Sequence, residues 1–158
     1  MKTAVVFYSY DGNSKFAARQ IGSLLKADVV QAEPVNEKRR PKFAMFFHGG
    51  GQVIFNRKPA LKPYSFDAET CDLIILGTPV WADSPSPAIK SFLSQAKLSG
   101  KKLALFVCHA GGPGNAMNKL KAELKNNTIV SEIALNNPAK DAEKAKEQIE
   151  EWVKTLTR

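Results

Sequence analysis

A repeated switch between two kinds of apolar pattern limits what this chain can become. Short continuous runs, at Thr3 to Tyr8, Asp28 to Ala32, Leu73 to Leu76, Lys101 to Val107 and about Thr128 to Leu135, alternate with segments whose apolar residues recur at helical spacing. A continuous apolar run belongs to a strand covered on both faces. The helical stripes are Ala17, Ile21, Leu24 and Leu25, then Ile89, Phe92, Leu93 and Ala96, then Met117, Leu120 and Leu124. The last and longest follows Pro138 and joins Ala142, Ala145, Ile149, Trp152, Val153 and Leu156. Strand and helix in strict alternation demand a parallel sheet with helices on both faces. The expected architecture is a three-layer, doubly wound α/β fold with a five-stranded parallel sheet, in one domain over residues 1–158.

A domain of 158 residues buries enough surface to fold without a disulfide or a metal. Cys71 and Cys108 therefore read as reduced thiols, Cys108 as a buried one at a strand end. The longest apolar runs, such as Leu103 to Cys108, fall far short of the ~20 residues of a membrane-spanning helix. Met1-Lys2-Thr3 leads straight into a strand with no signal-type apolar region, so a cytoplasmic protein with no membrane association is expected.

The alternation breaks at residues 34–63, a crossover longer than needed and interrupted by Gly49-Gly50-Gly51. It carries seven basic residues against one acidic residue, so +6 of the net charge of +8 sits there. It also contains Phe43 to Phe47 and Val53 to Phe55, and a second crossover helix with a decorated loop is expected. Its aromatics suit a subunit interface, a partner site or core. Nucleic-acid binding needs a basic face bearing a recognisable reading element, and this excess lies on one crossover without one, so no nucleic-acid partner is expected.

In an open parallel sheet, ligands bind beyond the carboxyl ends of the strands where strand order reverses. Three loops at those ends stand out. Ser9-Tyr10-Asp11-Gly12-Asn13-Ser14 puts hydroxyls, an amide and a glycine at a helix start, where free N–H groups and the helix dipole attract an anion. An ordinary capped turn has the same composition. It is neither a Walker loop nor a dinucleotide fingerprint, because no Gly-Lys-Ser/Thr follows and Gly12 is its one glycine. Thr78-Pro79-Val80-Trp81-Ala82, continuing to Pro87, reads as a loop stiffened by proline, with Ser86 capping the next helix and Pro87 at its first position. Trp81 either stacks on a flat ligand or covers the core. His109-Ala110-Gly111-Gly112-Pro113-Gly114 lets backbone approach a ligand closely or serves as a flexible turn.

Tyr8 to Lys15 resembles the flavodoxin phosphate loop, Thr/Ser-x-Thr-Gly-x-Thr, while Gly77-Thr78-Pro79-Val80-Trp81 and Phe92-Leu93 resemble that family's flavin-ring loop and third helix. The similarity spans the whole chain. It implies flavin mononucleotide, FMN, with its phosphate on Ser9, Tyr10, Asp11, Gly12, Asn13 and Ser14. The ring would lie between Thr78, Pro79, Val80, Trp81 and Ala82 on one side and His109, Ala110, Gly111, Gly112 and Gly114 on the other. Two departures matter. Asp11 stands where the family usually has a hydroxyl, so either it turns away to cap the helix or it weakens phosphate binding. No glycine occurs from Thr78 to Ser84, where many flavodoxins use one to reorient a peptide on one-electron reduction, so a poorly stabilised one-electron state is implied.

Other motifs fail their context. His48-Gly49-Gly50-Gly51 imitates an esterase oxyanion loop, but no Gly-x-Ser-x-Gly elbow exists. Gly112-Pro113-Gly114 precedes a helix but follows the fourth strand, not the first, which disfavours a dinucleotide site. Cys71, Cys108, His48 and His109 lack zinc spacing, so no metal site is expected, and because the flavin implied by the resemblance does the redox chemistry, no catalytic side chain is expected.

The resemblance implies an FMN-binding electron-transfer protein first. The alternative is an FMN-dependent NAD(P)H oxidoreductase acting on quinones or similar acceptors, with residues 43–58 as a lid or substrate pocket. The basic charge weakens the carrier reading, because typical flavodoxins are acidic. An acidic redox partner protein is expected to dock near the flavin edge and residues 38–58. Neutral replacements of Lys38, Arg39, Arg40 and Lys42 should then slow electron exchange with an acidic partner at low salt, where charges are least screened. Unchanged rates would leave that segment a structural role alone.

Overall fold

The structure, a computed structural model, describes residues 1–37 and 57–157. Its centre is a sheet of parallel strands: β1 (Thr3–Phe7), β2 (Asp28–Gln31), β3 (Leu73–Trp81), β5 (Lys102–His109) and β6 (Thr128–Asn136). They lie in the order β2-β1-β3-β5-β6, and a two-residue strand, β4 (Ser84–Pro85), pairs antiparallel with the end of β3. Among the described residues four α-helices follow the strands: α1 (Asn13–Leu25), α2 (Pro87–Ala96), α3 (Ala116–Glu123) and α4 (Ala142–Leu156). This is the doubly wound parallel architecture that the alternation predicts.

Successive strand residues point to opposite faces, and the core divides accordingly. Val5, Phe7, Ile75 and Phe106 pack under α1 and α4, against Ala17, Ile21, Ile149 and Trp152. Val6, Tyr8, Ile74, Leu76 and Leu105 pack under α2 and α3, against Ile89, Phe92 and Leu120. Ser86 caps α2 with its side chain accepting from the Ile89 N–H, and Pro87 takes the first position, as expected.

Some expectations need correction. Leu24, placed in the buried stripe of α1, is 45% exposed. Gly22 is the residue pressed against the sheet, and a Cβ there would lie 2.3 Å from Val29 Cγ2. β2 is an edge strand and not a fully covered one, so Val29 is 42% exposed. Residues Thr78 to Pro87 are not a single loop, because β3 runs on to Trp81 and pairs back with Ser84–Pro85. Pro79 is tolerated in β3 because it lies beyond the last β1 pair, Phe7 with Gly77, where one side of the strand has no neighbour.

The second crossover helix, the His48-Gly49-Gly50-Gly51 motif, the aromatics Phe43 to Phe55 and the basic cluster Lys38 to Lys42 lie outside the described residues. The neck of that crossover is described. Pro34 bridges Leu61, the Val35 N–H donates to Ala60 O at 2.9 Å, and Lys62 pairs with Glu33 at 2.7 Å.

At the sheet centre Gly77 pairs with Phe106, and a Cβ on Gly77 would lie 1.9 Å from Phe106 Cζ. The ring therefore occupies the place of a side chain. Gly77→Ala is expected to lower stability by about 2 kcal/mol through overpacking, measured by urea unfolding. A loss well below 1 kcal/mol would show that the Phe106 ring moves aside freely.

Candidate functional site

Strand register brings the three candidate loops to one edge. β1, β3 and β5 are neighbours, with Phe7, Gly77 and Phe106 level across them, so the loops after Phe7, Trp81 and His109 leave the sheet side by side. The strand order reverses here, β1 leading to β2 on one side while β3 lies on the other.

The first loop turns through Gly12, whose φ of 96° suits glycine and carries the chain into α1. Its N–H donates to Ser9 Oγ at 3.2 Å. Asp11 folds back onto the helix start: the Asn13 N–H donates to Oδ1 at 3.0 Å and the Asn13 amide to Oδ2 at 2.8 Å. Of the two alternatives for Asp11, the helix-capping one is the geometry observed. Asn13 also has a structural role, its Oδ1 accepting from the Ala139 N–H at 3.0 Å. A helix leaves its first N–H groups without intrahelical partners. With that of Asn13 taken by Asp11, those of Ser14 and Lys15 have no hydrogen-bond partner among the described residues and suit an anion.

Ser14 is the residue of this loop that points inward. It is fully buried, and its hydroxyl makes no regular hydrogen bond among the described residues. The Cys108 thiol lies beside it, a weak partner at best. Burial pushes that thiol up to about 12, with the Ser14 hydroxyl pulling it down and the Asp11 carboxylate adding to the rise. Cys108 is thus a neutral, buried thiol under the loop, as its strand-end position suggests.

The second wall is aromatic. Trp81 packs edge-on against Tyr8, ring centres 5.5 Å apart and planes at 88°, and against Tyr10 at 5.8 Å and 72°. Such edge-to-face contacts fix the indole while leaving it half-buried at the site edge. The buried Tyr8 hydroxyl donates to Glu37, and burial together with that carboxylate raises the phenol above its ordinary pKa. This pair, 29 residues apart, carries no local sequence signal. Thr78 and Pro79 are buried, and Thr78 ties β3 to the cap of α2: its Oγ1 accepts from the Ser86 N–H at 2.9 Å and lies 3.0 Å from Pro79 O. Val80 is half-buried, and Ala82 is exposed at the tip.

The third wall begins at His109, whose Nδ1 accepts from the Gly112 N–H at 3.0 Å. That bond requires a neutral ring protonated on Nε2, and burial lowers the His109 pKa from its ordinary 6.5. Ala110, Gly111 and Gly112 are exposed, and nothing lies within 4 Å of a Cβ placed on Gly111 or Gly112. Gly114 differs, since its missing Cβ makes room for the Asp83 carboxylate, 1.8 Å from where that Cβ would stand. Asp83 Oδ1 accepts from the Asn115 N–H at 2.6 Å. Asp83 and Asn115 escape a sequence reading, because their contact joins loops 32 residues apart. Among the described residues no cluster of three or more His, Cys, Asp or Glu could hold a metal, and no helix is long and apolar enough to cross a membrane.

The fold is that of the flavodoxin-like α/β proteins. A flavoprotein of Lactobacillus acidophilus NCFM solved in complex with FMN superposes with a TM-score of 0.74 at 23% identity, over 89% of this chain and 97% of that one. A Bacteroides eggerthii protein described as a flavoprotein gives 0.83 at 20% identity, over 99% and 98%. Megasphaera elsdenii flavodoxin gives 0.60 at 20% identity, over 96% and 98%. No curated protein matches the sequence. The model of the NADPH-dependent FMN reductase family matches residues 1–137, and the chain belongs to that family.

The lowered pKa of His109 has a defined pH consequence. The folded state favours the neutral ring, so this contribution to stability is intact above 6.5 and is lost as pH falls from 6.5 through the folded value. In an NMR titration His109 should protonate below 6.5, with the Gly112 amide shifting at the same midpoint. A midpoint at or above 6.5, or a Gly112 amide that does not follow, would contradict this arrangement.

Proposed function

We propose that the chain holds FMN noncovalently at this edge and uses it as an NAD(P)H-dependent oxidoreductase. The observation that carries the FMN reading is the start of α1, where among the described residues the buried Ser14 hydroxyl lacks a regular partner and the N–H groups of Ser14 and Lys15 are open, at the point of strand-order reversal. A phosphate ester supplies the acceptor oxygens that these donors lack. Ser9, Tyr10, Gly12 and Ser14 would hold that phosphate, with Asp11 and Asn13 shaping the turn.

Trp81 and Ala82 on one side, and His109 to Gly112 on the other, flank the place for the flavin ring. FMN, when bound, supplies the redox chemistry by taking a hydride, two electrons and a proton, from a reduced nicotinamide and releasing them to an acceptor. The protein contributes position, a neutral imidazole and a dry aromatic wall.

Two facts favour the enzyme over the carrier. The chain matches the NADPH-dependent FMN reductase family over residues 1–137. Its net charge is +8, whereas a low-potential carrier is better served by an acidic surface that disfavours the anionic reduced flavin. The likeness to Megasphaera elsdenii flavodoxin supports the carrier, with NAD(P)H reactivity as the discriminating measurement.

Purified protein should take up FMN with quenching of its fluorescence, and NADPH or NADH should bleach the bound flavin without a second protein. Ser14→Ala should weaken FMN binding about 10-fold or more, the loss of a hydrogen bond to a charged group. Failure to take up FMN would overturn the whole reading. FMN uptake without reduction by either nucleotide would return the chain to the carrier class.

A further inference from the structure

The turn joining β3 to β4 is a two-residue hairpin of an unusual kind. Its central residues, Ala82 and Asp83, both have positive φ, 45° and 60°, a conformation that glycine or asparagine normally supplies and that alanine resists. Something outside the turn must hold it. Asp83 makes the contacts that do so. Its Oδ1 accepts from the Asn115 N–H at 2.6 Å, and its Oδ2 lies 3.6 Å from Lys119 Nζ. Lys119 Nζ also donates to Ser84 Oγ at 3.0 Å, on the strand that closes the hairpin.

The receiving side is built to fit. α3 has no side-chain cap of its own at Asn115, so the carboxylate from the hairpin stands at the helix N-terminus, where negative charge is favoured. Gly114 precedes it with φ 50°, and a Cβ there would collide with Asp83 Oδ1 at 1.8 Å. The hairpin of the second loop and the glycine turn of the third are thus fastened across the gap between them.

We infer that Asp83 is a positioning residue that sets the spacing of the two loops flanking the flavin ring and holds the Ala82–Asp83 turn in one conformation. This rests on the FMN reading above. A turn that cannot reorient offers no new hydrogen bond to a flavin that has taken up a single electron. The clasp therefore favours transfer of electrons in pairs, as hydride chemistry requires.

The test uses Asp83→Ala, Asp83→Asn, Gly114→Ala and the double variant Asp83→Ala/Gly114→Ala. In protein without FMN, Asp83→Ala and Gly114→Ala should each speed hydrogen exchange of the Asn115 amide at least tenfold, while Asp83→Asn, which keeps an acceptor oxygen, should largely preserve protection. The double variant should be little worse than the worse single one, because both break the same contact. In protein with FMN, stepwise anaerobic reduction followed by absorption should show more one-electron-reduced flavin in Asp83→Ala than in the parent or in Asp83→Asn. Unchanged Asn115 exchange, or additive effects in the double variant, would show that no clasp exists. Faster exchange with an unchanged proportion of one-electron-reduced flavin would show that the clasp does not position the flavin. If the parent takes up no FMN, the cofactor reading fails, and the exchange data still report on the clasp separately.

Discussion

From β1 the chain passes to β2 on one side and later returns to β3 on the other, so strand order reverses at the gap between the carboxyl ends of β1 and β3. Every other part of the candidate site depends on that gap. The parallel ladders hold Phe7, Gly77 and Phe106 level, and the close approach of the Phe106 ring to Gly77 locks the central strands at the height from which all three loops spring. A misfit there would displace the loops together. The site inherits its rigidity from the close-packed core beneath it, which is how a fold with short loops achieves precise placement.

Charge around the first loop is arranged in layers. The positive end of α1 and its open N–H groups attract an anion, and Asp11 offsets part of that attraction by capping Asn13 from the solvent side. Behind the loop the Cys108 thiol stays neutral, because burial opposes a thiolate there. The attraction therefore rests on backbone donors, with no lysine among residues 9–14. At the described start of the 34–63 crossover, Glu37 accepts from the Tyr8 hydroxyl beside Trp81.

The doubly wound sheet was legible from sequence because buried parallel strands and covering helices leave two distinct periodicities, and strong signals such as Ser86-Pro87 or the Ala145–Ile149–Trp152 stripe mark the same elements in the structure. The expected stripe failed at Leu24, because close contact with an edge strand is made by a glycine, Gly22, which no hydropathy pattern rewards. The loop expected after Leu76 failed for a related reason. Prolines read as strand breakers, yet Pro79 sits where β1 has already ended and costs no ladder bond. The three candidate loops were visible in their turn residues. Asp83 was not, because its importance comes from Asn115 and Gly114, which only tertiary structure brings to it.

The two walls of the site are held by different physics, and this bears on how each can respond to a ligand. Tyr8, Tyr10 and Trp81 are fixed by edge-to-face packing, which is insensitive to charge and continuous with the core through the buried Tyr8. The glycine wall has little packing of its own; it depends on His109 accepting from Gly112 and on the Asp83 carboxylate holding the start of α3. The first of those bonds needs a neutral imidazole, and the second needs an acceptor oxygen at Asp83. One wall is thus a passive surface, while the other is polar and sensitive to the proton and electron balance of a bound ring. A site with one fixed and one titratable wall suits chemistry in which the ligand's own charge changes during turnover, which is the chemistry of a flavin.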